Sequence, residues 1–130
     1  MDRKKYLEGI LIDEEAIFRS LVEKAKKIFG LTPRGEIVFL IPRDSLTQRQ
    51  LVATYLIGRL FAKELEIVAS EIVTADDLSM LMTIDKKTVT ARLHDLKKEH
   101  IVESPGRGQF SISISGADKI LNEITNNLST

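Results

Sequence analysis

The stretch from Thr47 to Leu65 constrains this chain more than any other. Its apolar residues are Leu51, Val52, Ala53, Tyr55, Leu56, Ile57, Leu60, Phe61, Ala62 and Leu65, and they fall around most of a helical projection. A surface helix carries one apolar stripe, so a helix that is apolar nearly all round is covered on more than one side. Thr47 and Gln50 have the spacing of a capping box, with Leu46 and Leu51 in the flanking staple positions, so the helix start is marked. A helix over 47–65 is therefore expected between an N-terminal unit and a C-terminal domain, or at an interface between two copies.

The flanking segments supply both units. Asp13 is a candidate N-cap, Glu14 and Glu15 suit the positive helix end, and Lys24, Lys26 and Lys27 suit the negative one. With Ile17, Leu21, Ile28 and Phe29 at helical spacing, the expected helix runs to a stop at Gly30. Thr32 to Gly35 predicts a turn, and Glu36 to Ile41 a strand ended by Pro42. Beyond the long helix, Glu71 to Val73 is a short strand candidate. Thr74 and Asp77 form a second capping box for a helix over 75–82, and Asp85 caps another running to about His100. Ile101 to Glu103 and Gln109 to Ile114 are strands around the turn-rich Ser104-Pro105-Gly106-Arg107-Gly108. In the second strand Phe110, Ile112 and Ile114 alternate with Ser111, Ser113 and Ser115, which predicts one buried and one wet face. Gly116 to about Leu128 closes the chain as a helix with Ile120, Leu121, Ile124 and Leu128 on one side.

With 130 residues, 43% of them hydrophobic, the chain can bury one continuous core. It has no cysteine, which excludes disulfides, thiolate metal sites and thiol catalysis. No apolar run follows the charged start Asp2-Arg3-Lys4-Lys5, and none is long enough to span a bilayer, so neither a leader nor a membrane anchor is expected. A cytoplasmic protein is expected. Nineteen basic residues balance nineteen acidic ones, which argues against strong nonspecific nucleic-acid binding. The distribution is uneven: Thr83 to Phe110 holds six basic against four acidic residues, whereas Thr47 to Met82 holds three against five.

The order helix, short strand, helix, helix, strand, loop, strand, helix from Thr47 resembles the winged helix-turn-helix superfamily of DNA-binding domains, archaeal members included. Leu78 and Met82 match the apolar anchors of the motif's first helix, and Ser79 its small residue at the helix crossing. Ile84 matches the plug of the turn, and Val89, Leu93 and Leu96 the core face of the second helix. The resemblance covers about two thirds of the chain and points to no particular family within the superfamily. It implies an α+β, mainly α fold: a winged helix-turn-helix domain with its C-terminal helix over 46–130, preceded over 1–45 by a helix-strand extension suited to dimerisation. Thr83 departs from the motif, which often has Gly there because Gly takes left-handed dihedrals freely. A β-branched residue at that position implies another turn geometry or strain.

If the second helix enters the major groove, which is wide enough for one helix, its outward face carries Lys87, Ala91, His94 and Lys98, flanked by Lys86, Thr88 and Thr90. Lys87, Thr88 and Thr90 can donate to phosphates, Ala91 can touch only a thymine methyl group, and Arg107 at the loop tip suits a flanking phosphate or the minor groove. Arg92 lies nearer the edge, where acidic residues can pair with it. Taken alone, a lysine-rich helix face is simply solvated, His94 an exposed helix residue and Arg107 an ordinary turn charge. Leu81 either packs on the N-terminal helix or forms, with Met80, an exposed patch for a protein partner.

Within the cluster His94, Asp95, Glu99 and His100 the two histidines are not the i, i+4 pair of a helical metal site, and Gly106-Arg107-Gly108 lacks the context of a phosphate loop. No catalytic residue, metal or cofactor is expected. The expectation is a DNA-binding transcriptional regulator that binds double-stranded DNA as a homodimer. The alternative is a winged-helix interaction module in a transcription or replication assembly.

Overall fold

The long helix anticipated at Thr47 is the hub of the molecule. In the computed structural model, which describes residues 2–128, α3 spans Gln48–Glu64 and begins with the complete Thr47–Gln50 capping box. Before it come α1 (Arg3–Leu7), a 3₁₀ turn (Glu8–Ile10), α2 (Glu14–Ala25), β1 (Phe29–Leu31), β2 (Ile37–Phe39) and a second 3₁₀ turn (Arg43–Ser45). After it come β3 (Val73–Thr74), α4 (Ala75–Met82), α5 (Lys86–Lys98), β4 (Val102–Glu103), β5 (Gln109–Ile112) and α6 (Ile114–Leu128). The chain is α+β with helix predominating. Among the described residues no helix is long and apolar enough to cross a membrane.

Both sides of α3 are covered, as its composition demands. On one side Phe61 meets Phe18 of α2 edge-on at 5.8 Å and stacks on Phe29 of β1 at 6.1 Å, while Tyr55 meets Phe39 of β2 at 5.9 Å. The β1–β2 hairpin comes so close that a Cβ on Gly58 would stand 2.6 Å from Ile37 Cδ1. The other side packs against α5, α6 and β5, so one core holds Leu21, Ile28 and Phe29 together with Leu78, Val89, Leu93, Leu96 and Ile120. At Gly116 the start of α6 lies against the Ile101 backbone, leaving no room for a Cβ. A 2.8 Å ion pair between Lys24 and Asp118 also ties α2 to α6. Residues on either side of 45/46 thus share one core.

Three expectations are corrected. First, α2 stops at Ala25 instead of running to Gly30, and Phe29-Gly30-Leu31 pairs antiparallel with Ile37-Val38-Phe39. A lone strand over 36–41 would leave its backbone groups without partners, and β1 supplies them. Second, the serines after Phe110 do not form a wet strand face. Ser111 is buried and the strand ends at Ile112; Ser113 accepts the Gly116 N–H at 3.0 Å, and Ile114, expected on the buried strand face, is the exposed first residue of α6. Third, Leu81 does not bury itself on the N-terminal helix; it and Met80 are 58% and 82% exposed.

Candidate nucleic-acid interface

The pair α4 and α5 is set by two strong starts and one strained turn. Thr74 and Asp77 form the full capping box of α4, and Asp85 caps α5 through the Thr88 N–H at 3.2 Å. Between them Thr83 takes the left-handed conformation, φ 55° and ψ 44°. For an L-residue this costs about 1–2 kcal/mol, and local hydrogen bonds offset it. The Thr83 and Ile84 N–H groups both point to the Ser79 carbonyl, Ser79 Oγ donates to the Ile84 carbonyl at 2.6 Å, and Arg43 Nη2 donates to the Met82 carbonyl. Ser79 thus serves as a hydrogen-bonding staple at the crossing. Arg43 was not legible as part of this turn, because it lies 39 positions away in sequence.

Burial of Val89, Leu93 and Leu96 turns the opposite side of α5 outward. Lys86, Lys87, His94, Lys97 and Lys98 are exposed, while Thr90 and Ala91 are half-buried in the middle of the helix. Thr88 is differently engaged: its hydroxyl donates to Asp85 Oδ1 at 2.6 Å, so its proton serves the cap. That bond is the main reason the Asp85 carboxyl is held below its ordinary value. Lys86 lies 3.2 Å from Asp76 in a largely exposed pair, which is weak and readily exchanged for another anion. Arg92 Nε stands 3.0 Å from Asp95 Oδ2, in agreement with its expected pairing.

Charge placement distinguishes the two ends of the helix. Lys97 and Lys98 sit near the carbonyl end, where cations complement the macrodipole and need no further explanation. Lys86 and Lys87 sit in the first turn, which contains no acidic residue and where cations oppose the dipole. Asp76 beside Lys86 and the Asp85 cap beside Lys87 offset part of that cost locally. The far end is fixed: Arg49 Nε and Nη2 donate to the two Glu99 oxygens at 2.7 and 2.8 Å, and Arg49 Nη1 donates to Glu123 at 2.7 Å. The Arg49 hydrogen bond holds the Glu99 carboxyl below its ordinary value. Glu99 is thereby committed to a structural role.

Arg107 projects from the tip of the β4–β5 hairpin and is exposed. The tip is internally braced: Ser104 Oγ and the Gln109 N–H both donate to the Gly106 carbonyl, at 3.0 and 3.1 Å, and Gly108 takes φ 71°. The sequence-derived set thus divides. Lys87, His94, Lys98 and Arg107 are exposed side chains, Lys86 is exposed but ion-paired, Thr90 and Ala91 are recessed, and the Thr88 hydroxyl proton is spent on the cap. Comparison of the chain with protein-family models, curated proteins and solved structures found no match.

Proposed function

We propose that the chain is a DNA-binding transcriptional regulator whose segment from α3 to α6 acts as a winged helix-turn-helix. In this proposal α5 enters the major groove and Arg107 contacts a phosphate or the minor groove beside it. The observation that carries the proposal is the outward side of α5, where Lys87, His94 and Lys98 are exposed and two lysines occupy the end at which the helix dipole disfavours them. An anionic partner turns that unfavourable placement into a gain. With Ala91 recessed at the centre, most of the affinity comes from phosphates, and base readout is sparse. Two copies joined as a dimer would address half-sites about one DNA turn apart.

A second use, docking of a protein partner, is favoured by Met80 and Leu81, which are exposed side by side on α4. The double variant Lys87→Glu, Arg107→Glu separates the two. Duplex binding at low salt is expected to fall on the order of 100-fold with an unchanged circular dichroism spectrum, since each reversal replaces a phosphate attraction by repulsion. Unchanged affinity would overturn the DNA assignment and leave the Met80–Leu81 surface as the functional one.

A further inference from the structure

The aromatic cluster on the N-terminal side of α3 leaves an open groove beside it. The groove lies between α2, β1 and the end of α3, encloses about 450 Å³, and is walled by Phe18, Val22, Phe29 and Phe61. Phe61 is the centre of that wall, with Phe18 edge-on and Phe29 stacked. Leu65 also lines the groove and is more than half exposed. The volume falls within the range of small-molecule sites, which combine an apolar wall with a few polar groups.

Polar groups of both kinds border this wall. In the β1–β2 ladder the Thr32 N–H donates to the Glu36 carbonyl and the Leu40 N–H to the Ile28 carbonyl, with Gly30 opposite Val38 between them. Hydrogen-bonded and open pairs alternate in an antiparallel ladder, so the backbone groups of Phe29 and Leu31 are directed away from β2. Among the described residues no strand pairs with that edge of β1, and no residue of β2 lines the groove. Two lining residues are charged, with opposite signs. Lys26 stands at the end of α2, in an exposed 2.9 Å pair with Glu23 that exchanges readily. Glu64 stands at the carbonyl end of α3, where the macrodipole favours a cation.

We propose that the groove binds a free amino acid with a large apolar side chain. The side chain lies against Phe18, Phe29 and Phe61, the ammonium group meets Glu64 and the carboxylate meets Lys26, each through a charge-assisted hydrogen bond. A purely apolar ligand would leave both charges unused, and a singly charged one would leave one of them unmatched. The head of an amino acid also offers a donor and an acceptor to the open edge of β1, as a residue of an added strand would. The proposal rests on the groove alone and is independent of what α5 contacts.

The probe is L-phenylalanine, titrated into the isotope-labelled full chain while backbone amide shifts are read by NMR. Saturable shifts are expected around Phe18, Val22, Leu31 and Leu65, with half-saturation at about 1 mM or below, the affinity open to a ligand of this size. Phenylpropionate and phenethylamine each lack one charge and should bind more weakly by about threefold or more. Glycine, which lacks the side chain, should leave these amides unmoved. Glu64→Gln should weaken phenethylamine and spare phenylpropionate, and Lys26→Gln should do the reverse. Both residues are exposed, so the variants fold, as checked by circular dichroism. No saturable shift at the groove, equal binding of the three aromatic probes, or charge variants without effect would each overturn the proposal. So would a ligand-free dimer that Leu65→Glu converts to monomers, which would assign the groove to a second copy.

Discussion

At the C-terminal end of α5, Glu99 is gripped by Arg49, His100 turns left-handed at φ 60°, and Ile101 is wholly buried. At the N-terminal end Lys86 and Lys87 are exposed, and the Asp85 cap, the Ser79 staple and the Arg43 bond to the Met82 carbonyl hold the chain. One end is anchored in the core and in a charge network, and the other is presented. Under the proposed function, the difference separates stability from binding along a single helix. Substitutions of the anchoring residues Arg49 and Glu99 should change folding and spare DNA affinity, and substitution of Lys87 at the open end should do the reverse.

The largest expected effect is at the anchor. Gly116→Ala drives a methyl group into the Ile101 backbone and should cost about 3 kcal/mol, since backbone cannot step aside as a side-chain tip can. Chemical denaturation measures this; a cost under about 1 kcal/mol would mean that the α5–α6 junction yields easily. Arg49→Met removes a bidentate pair and a third ionic hydrogen bond in a half-exposed setting, for a loss of about 1–2 kcal/mol. The duplex affinity of the folded Arg49→Met protein should match that of the parent.

At the open end Lys87→Glu should weaken duplex binding by about tenfold or more. Its stability should stay within about 0.5 kcal/mol of the parent, because an acidic side chain suits a helix N-terminus but loses the attraction of Lys87 to the Asp85 cap. Equal losses of stability and affinity would erase the contrast between the ends. Thr83→Gly releases the left-handed strain but adds freedom to the unfolded chain, so the net gain should be about 1 kcal/mol, or a few degrees in Tm. The smallest effect is on acid stability. The Glu99 carboxyl is held below its ordinary 4.5, so its contribution is complete above that value and is lost as pH falls through the lowered one. Urea midpoints measured downward from pH 6 should therefore begin to fall below about 4.5, and Arg49→Met should flatten that fall.

The same contrast explains what could be read from the sequence. Four helix starts are written locally: Asp13, Thr47, Thr74 and Asp85 all act as caps, and each is recognisable within four residues. By contrast α1 was not expected, and α6 begins at Ile114, ahead of the expected Gly116. Helix ends are not written locally. Glu66, Thr83 and His100 all adopt positive φ without being Gly, and tertiary contacts select those conformations. After α3 and after α5, paired backbone bonds (Ile67 to Ala62 and Glu66 to Lys63; Ile101 to Leu96 and His100 to Lys97) close the helix without the usual glycine. Likewise Ile28 and Phe29 satisfy helical spacing locally, and only stacking on Phe61 and pairing with β2 make that segment a strand. At the candidate interface, the buried side of α5 and hence its outward face followed from periodicity. The commitment of the Thr88 hydroxyl to Asp85 depended on a rotamer, and the Arg43 and Arg49 contacts depended on long-range packing.

The account rests most heavily on phosphate contact by the open side of α5 and the hairpin tip. Anisotropy titration of a labelled random duplex across a salt series tests it directly. Contacts from Lys87, Lys98 and Arg107 predict a log–log slope of about −2.7 per protomer, reduced by close to one unit in Lys87→Glu. A slope near zero, or one that Lys87→Glu and Arg107→Glu both leave unchanged, would contradict it.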